Sequence, residues 1–78
     1  MTLDEQHQII MNAFYNPRYG VSPTATKGAV ESHARKNLLD GEEYTKALES
    51  AISAGLLVTM AGSSFAIRNA GRKMLPRR

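Results

Sequence analysis

The residues of this 78-residue chain that could carry chemistry are few and widely separated. His7 and His33 are the two imidazoles, and no third ligand stands at metal-site spacing from either of them. Ser63 and Ser64 lack the strand-turn-helix setting of an esterase nucleophile. The sequence has no cysteine and no Gly-rich phosphate-binding loop. We therefore predict a protein that is not an enzyme and that uses no metal or cofactor.

The length and composition predict one small domain. A chain of 78 residues buries only roughly 60% of its unfolded surface, so oligomerisation is a common means of stabilising it. The lack of cysteine favours a reducing compartment, and no apolar run approaches the roughly 20 residues of a membrane span. We expect a cytoplasmic protein with a single domain at residues 1–75, a basic tail at residues 76–78 and no membrane association. A homodimer is an open alternative.

The positive charge of the chain is concentrated at its C-terminal end. The formal net charge is +3, but residues 1–60 carry five basic and seven acidic groups, whereas residues 61–78 carry five basic groups and no acidic one. Clustered cations of this kind are compatible with a surface that contacts phosphate. Arg68 and Arg72 are the best-held candidates, since a terminal Arg pair is more often a solvated tail.

The N-terminal segment has the signature of a capped amphipathic helix. Thr2 and Glu5 form a capping box, and apolar residues recur at helical spacing over about residues 3–15. His7 falls inside the apolar stripe, which is typical of a histidine at the margin of a core. The stretch NPRYGVSP, residues 16–23, holds two prolines and a glycine and predicts a loop.

A second and a third helix are predicted before residue 55. The second covers about residues 24–39, with Ser22 or Thr24 as its N-cap. Its buried row is formed by Val30, Ala34 and Leu38. The third covers about residues 41–54 and starts from an Asp-Gly turn in which Asp40 and Glu43 repeat the capping-box spacing. Gly55 stands where a residue in left-handed geometry ends a helix.

After Gly55 the apolar period changes from that of a helix to that of a strand. LLVTM and SFAIR each predict one short strand, and AGSS between them supplies a hairpin turn. NAGRKML then predicts a last helical turn or tail, with Met74 and Leu75 folded back on the core. The fold class that follows is mainly α with a small antiparallel hairpin.

The order of these elements resembles the winged helix-turn-helix superfamily. Two helices joined by a tight turn have the layout of a helix-turn-helix, and the hairpin after them corresponds to the wing. The most specific stretch is ALESAISAGLLVTMAGSSFAIRNAGRKML, residues 47–75. It is similar to the ending of bacterial winged-helix regulators, in which a Gly-Leu-Leu step, a short wing and a Thr-x-x-Gly-like turn, here residues 68–71, follow one another. The resemblance implies three helices packed on a two-stranded wing.

The resemblance also implies a small bacterial or phage module that binds duplex DNA and regulates transcription. It would place the third helix at the duplex, with Thr45, Lys46 and Ser50 nearest the bases. The residues expected to contact phosphate are Arg35, Lys36, Arg68, Arg72 and Lys73.

Docking of a protein partner on the same fold, without DNA binding, is the alternative hypothesis. The exposed row of the third helix is mostly acidic, with Glu42 and Glu49 in it, and the wing tip AGSS has no cation. Carboxylates oppose binding to phosphate but suit a basic partner. The YNPRYG loop adds Arg18 and Tyr19, residue types enriched at binding hot spots, although Tyr15 and Tyr19 could instead cover the small core. DNA binding is placed first because the superfamily commonly binds DNA.

Overall fold

The computed structural model describes residues 2–75, which form four helices and two small antiparallel sheets. The helices are α1 (Leu3–Asn12), α2 (Lys27–Lys36), α3 (Gly41–Ser53) and α4 (Asn69–Arg72). The strands are β1 (Tyr15–Asn16), β2 (Gly20–Val21), β3 (Thr24–Thr26), β4 (Leu57–Met60) and β5 (Ser64–Ile67). β1 pairs with β2, and the other sheet has the order β3-β5-β4. The predicted tail at residues 76–78 lies outside the described residues.

The capping box at the start of α1 is confirmed. The Thr2 amide donates to the Glu5 carboxylate and the Glu5 amide donates to Thr2 Oγ1, each at 3.2 Å. The helix ends at Asn12, before the predicted residue 15, because the chain turns back on itself as a small hairpin in which Tyr15 pairs with Val21. The segment predicted as a loop, residues 16–23, therefore contains β2 and the second residue of β1, and Tyr15 at the predicted helix end is the first residue of β1.

Residues 24–26 form a strand where the sequence predicted a helix. They pair antiparallel with residues 64–66 of β5. The predicted hairpin of β4 and β5 is therefore present, but it belongs to a three-stranded sheet and is not a separate two-stranded one. The Ile67 amide donates to the Pro23 carbonyl at 3.0 Å and holds this segment extended. The N-cap of α2 is consequently Thr26, and neither Ser22 nor Thr24, with Thr26 Oγ1 accepting from the Ala29 amide at 3.1 Å.

The end of α2 corrects the predicted buried row. Val30 and Ala34 are fully buried, but Leu38 is 84% exposed and Leu39 is buried in its place. Leu38 has φ of +67°, and its amide donates to the Arg35 carbonyl while the Leu39 amide donates to that of Ala34. These two bonds define a Schellman motif, whose left-handed residue turns the chain so that the next side chain enters the core.

The third helix has the predicted bounds within one residue, and its end is confirmed. Gly55 has φ of +77°, and its amide donates to Ile52 while the Leu56 amide donates to Ala51, each at 3.0 Å. The predicted capping box at its start is wrong, since Asp40 is the N-cap residue but makes no side-chain capping bond. Gly41 follows it with φ of +61°, which differs from the regular first turn that a capping box requires.

The core is formed where α1 packs against α2 and α3, and residues of the three-stranded sheet contribute to it. His7 is buried, and its Nε2 lies 3.0 Å from Ser50 Oγ on α3, which confirms its placement at the core margin. Leu75 is buried and Met74 packs on the same core, so the predicted return of the C-terminal segment is confirmed. Gln8 Nε2 donates to the Met74 carbonyl at 2.9 Å and ties that segment to α1.

Candidate functional site

An open groove of about 770 Å³ lies between α2 and α3, and we refer to it as the α2–α3 groove. Helical spacing builds its walls. Glu31 and Arg35 are one turn apart on α2, and Glu42, Thr45 or Lys46, and Glu49 follow one another at successive turns of α3. The Schellman turn after α2 brings in the start of α3. The lining residues are Glu31, Arg35, Asp40, Gly41, Glu42, Tyr44, Thr45, Lys46 and Glu49.

The α2–α3 groove is predominantly acidic. Glu31, Asp40, Glu42 and Glu49 line it, against the two cations Arg35 and Lys46. Arg35 is already engaged, because its Nη2 lies 2.9 Å from Glu31 Oε1. Within residues 2–75, none of the other three carboxylates has a cation at salt-bridge distance. The groove thus presents three unpaired carboxylates and one unpaired ammonium group to an incoming molecule.

Tyr44 is the buried residue of the α2–α3 groove, with 8% of its surface exposed. Burial, and secondly the negative charge of Glu31, raises the pKa of the Tyr44 phenol above its usual value. The hydroxyl therefore remains protonated at neutral pH and adds no further charge. Its ring joins the hydrophobic core, so α3 is anchored directly beneath the acidic surface.

The structure brings together five of the residues singled out from the sequence. Thr45 and Lys46 from the DNA hypothesis lie in the groove with Arg35, and so do Glu42 and Glu49 from the docking hypothesis. The Thr45 hydroxyl is turned to its own helix, where it donates to the Gly41 carbonyl at 3.2 Å.

Two of the α2 and α3 residues expected at a duplex lie outside the groove lining. Ser50 is half-buried and hydrogen-bonds His7, so its hydroxyl belongs to the contact between α1 and α3. Lys36 is exposed at the end of α2 and does not line the groove.

Arg68, Arg72 and Lys73 form a separate group, called here the C-terminal basic patch. Arg68 is the N-cap residue of α4, and its amide donates to the Leu56 carbonyl at 3.0 Å. This places it at the base of the β4–β5 hairpin, roughly 15 Å along β5 from the hairpin tip at residues 61–63. Arg72 and Lys73 are exposed on α4 and after it. The C-terminal basic patch and the hairpin tip are therefore at opposite ends of the sheet.

The cation beside the hairpin tip is Lys27, which the sequence reasoning did not select. Its amide donates to the Ser63 carbonyl at 2.8 Å, and its Nζ lies 5.9 Å from the centre of the Phe65 ring. That distance is within the range of a cation–π contact. The sequence signal for this position is the β-branched stretch TAT at residues 24–26, directly before Lys27. These residues form β3, which pairs with β5 and brings residue 27 to the hairpin tip. The tip is uncharged itself but has a neighbouring cation.

The β1–β2 hairpin presents Arg18 and Tyr19 away from the core. Asn16 Oδ1 accepts from the amides of Arg18, at 2.8 Å, and Tyr19, at 3.3 Å, which forms the turn. Tyr19 is 79% exposed, so the interpretation that it covers the core is wrong. Tyr15 does pack on the core. Neither Arg18 nor Tyr19 lines the α2–α3 groove.

The two histidines have different neighbours, since His7 contacts Ser50 on α3 and His33 lies beside Asn37 at the end of α2. Among residues 2–75, no group of three or more His, Asp or Glu side chains is arranged to hold a metal ion. His33 sits on α2, where partial burial and, secondly, the charge of Lys36 lower the pKa of its imidazole. In the same part of the chain, no helix has the length and apolar character needed to cross a membrane.

Comparisons with known proteins identified no relative of this chain. A scan against protein-family models, a search of curated proteins and a search of solved structures each found no match.

Proposed function

We propose that this chain is a binding module of the winged helix-turn-helix type that docks a basic segment of a protein partner in the α2–α3 groove. The order of elements supports the fold assignment. A four-residue turn joins α2 to α3, and the β4–β5 hairpin follows α3 directly. β3 pairs with β5 of that hairpin and leads directly into α2. The module acts by docking and performs no covalent chemistry.

The charge of the α2–α3 groove is the observation that carries this proposal. In a helix-turn-helix reader, the second helix of the motif faces the duplex, and here its accessible side carries Glu42 and Glu49 beside Asp40 from the turn. A phosphate backbone brought to this surface would be repelled by unpaired carboxylates. A lysine or arginine side chain of a partner could instead form ion pairs with these carboxylates. Complementary charge of this kind also speeds the encounter of the two molecules.

Charge reversal within α3 tests this proposal. The probe is a short peptide rich in Lys and Arg, titrated into the labelled chain at low salt, and the test variant is Glu42→Lys with Glu49→Lys. The matched control is Glu43→Lys, at an exposed position of α3 that does not line the groove. It is compared with each single reversal, Glu42→Lys or Glu49→Lys, because every single variant changes the charge by the same amount, half of the change in the double variant. Each exposed ion pair contributes up to about 1 kcal/mol, so the loss of two pairs is expected to weaken the binding of the double variant by about tenfold and by no more than roughly 30-fold.

The control variant separates groove binding from attraction by overall charge. Glu43→Lys is expected to keep the affinity within about threefold of the wild-type value, since it changes only the long-range field. Equal weakening by Glu43→Lys and by the double variant would contradict docking in the groove. So would an unchanged affinity of the double variant.

Duplex DNA is the second candidate, and the position of Lys27 favours it. A cation next to the hairpin tip is where a wing would contact phosphate, and Lys46 is the cation of α3 that could reach a base edge. Arg68 and Arg72 would add phosphate contacts at the base of the hairpin. On this candidate, affinity for duplex DNA falls steeply between about 50 and about 200 mM salt, and Ala at residues 68 and 72 flattens that slope. No binding of duplex DNA at low salt would exclude it.

A further inference from the structure

The strand β4 lies at an open edge of the three-stranded sheet. The sheet order is β3-β5-β4, so among residues 2–75 β4 has β5 on one side and no strand on the other. Apart from β5, the element that β4 mainly contacts is α3, which leads into it. The backbone groups on the outer side of an edge strand are available to pair with another strand.

The register identifies which residues of β4 face outward. Arg68 donates to the Leu56 carbonyl, and hydrogen-bonded pairs alternate with non-bonded pairs along an antiparallel ladder. Val58 and Met60 therefore bond to β5, while the amides and carbonyls of Leu57 and Thr59 point away from it. Within residues 2–75, neither of these two amides donates to a backbone or side-chain group outside the sheet.

The sequence of this edge lacks the charged residues and the proline that commonly prevent edge strands from pairing. Residues 53–64 include no charged residue and no proline, although the chain as a whole is 22% charged. Natural edge strands are commonly protected by lysine, proline or a bulge. Met60 is 45% exposed at the end of β4, on the outer face of the sheet with Val58.

We propose that β4 pairs antiparallel with β4 of a second copy of this chain, about a two-fold axis at Val58. Leu57 of each copy then exchanges backbone hydrogen bonds with Thr59 of the other, and the two Val58 side chains stand opposite each other. The interface is isologous, as most dimer interfaces are. It joins two three-stranded sheets into one continuous sheet and covers the exposed edge of each.

The occupant is a second copy because the strand is complementary to itself. Leu57 and Thr59, whose amides and carbonyls face outward, lie one residue before and one residue after Val58. The outward-facing groups of Leu57 in one copy therefore meet those of Thr59 in the other without a shift of register. The facing strands carry no charge, and the net +3 of each copy comes from groups outside residues 53–64. Two Val58 side chains form the kind of β-branched cross-strand pair that stabilises sheets.

A single cysteine tests this pairing, because the chain has none of its own. In a non-hydrogen-bonded pair the two Cα atoms are about 4.5 Å apart, which is within disulfide range. Val58→Cys is expected to form a covalent dimer rapidly under mild oxidation. The matched control is Ala66→Cys, which lies beside Val58 on the same face but on the central strand β5. It is expected to remain mostly unlinked.

Sedimentation mass provides the second measurement. We expect the wild-type chain to sediment at twice its 8.6 kDa mass, Val58→Lys to sediment as a monomer, and Ala66→Lys to remain dimeric. Glu42→Lys with Glu49→Lys changes the α2–α3 groove and is expected to remain dimeric, so the dimer stands or fails separately from the proposed function. A monomeric wild-type mass, or a Val58→Cys chain that links no faster than Ala66→Cys, would overturn the proposal.

Discussion

Gly71 of α4 lies directly against the backbone carbonyl of Leu56, at the point where α3 passes into β4. A β-carbon at residue 71 would collide with that carbonyl oxygen and would stand 2.6 Å from Met11 Cε. The backbone φ of Gly71 is not in the left-handed region, so the glycine is required by the close approach of two backbones. The contact holds α4 on the core and positions the base of the hairpin.

Replacing this glycine should therefore destabilise the whole domain. We expect Gly71→Ala to lower the free energy of unfolding by about 1–3 kcal/mol, because the colliding atom is a backbone carbonyl with little freedom to move. Gly28→Ala is the matched control. Residue 28 is inside α2, where a β-carbon meets no atom within 4 Å, and alanine should stabilise it by roughly 0.5–1 kcal/mol. Urea unfolding of both variants measures the difference, and equal effects would contradict the packing account.

Leu38 should be a site of easy stabilisation. Its φ of +67° is costly for a residue with a β-carbon, and its exposed side chain contributes little to the core. Leu38→Gly is expected to raise the free energy of unfolding by about 1 kcal/mol, since glycine is the preferred residue at this position of a Schellman motif. Leu39→Ala should do the opposite and cost about 2–5 kcal/mol, because Leu39 is fully buried. A thermal unfolding series distinguishes the two directions.

The His7–Ser50 contact predicts a measurable cost for a small change. Ser50→Ala removes the partner of a buried imidazole nitrogen, and an unsatisfied buried polar group costs about 1–3 kcal/mol. Ser53→Ala on the exposed side of the same helix is the comparison, and its effect should stay within about 0.5 kcal/mol. If the two variants unfolded at the same denaturant concentration, the hydrogen bond would have no part in stability.

Several local features could be predicted from the sequence because their causes are local. The capping box of Thr2 and Glu5, the left-handed Gly55 and the amphipathic face of α3 each depend on residues within one or two helical turns. The strand β3 could not, because its partner β5 is some 40 residues away along the chain. Thr24–Thr26 follows a proline and precedes a helix, so its short TAT pattern is equally compatible with a helix start.

The candidate site likewise contains residues that helical spacing predicts and residues whose placement depends on the tertiary structure. Glu42, Lys46 and Glu49 share one face of α3 and were placed together from helical spacing alone. Glu31 on α2 and Asp40 in the following turn complete the lining of the α2–α3 groove. They lie beside α3 because the left-handed turn at Leu38 sets the angle between α2 and α3. The salt bridge between Arg35 and Glu31 follows from an i, i+4 spacing that the sequence does contain.

The capping box also predicts a pH dependence. The hydrogen bond from the Thr2 amide, followed by that from the Thr2 side chain, lowers the pKa of the Glu5 carboxyl below its ordinary value of 4.5. A carboxyl with a lowered folded-state pKa stabilises the fold above its unfolded pKa and loses that contribution as pH falls through the lower value. The stability difference between wild type and Glu5→Gln should therefore be largest at neutral pH and shrink below about pH 4.5. A difference that grows on acidification would contradict this assignment.

The most direct test of docking in the α2–α3 groove is a residue-by-residue map of where a basic peptide binds. The measurement is a titration of the ¹⁵N-labelled chain with a Lys- and Arg-rich peptide, followed by amide chemical shifts. We expect the largest shifts to fall on residues 40–49 together with Glu31 and Arg35, and to vanish in Glu42→Lys with Glu49→Lys. Shifts that are absent, or that are concentrated away from the groove, would contradict it.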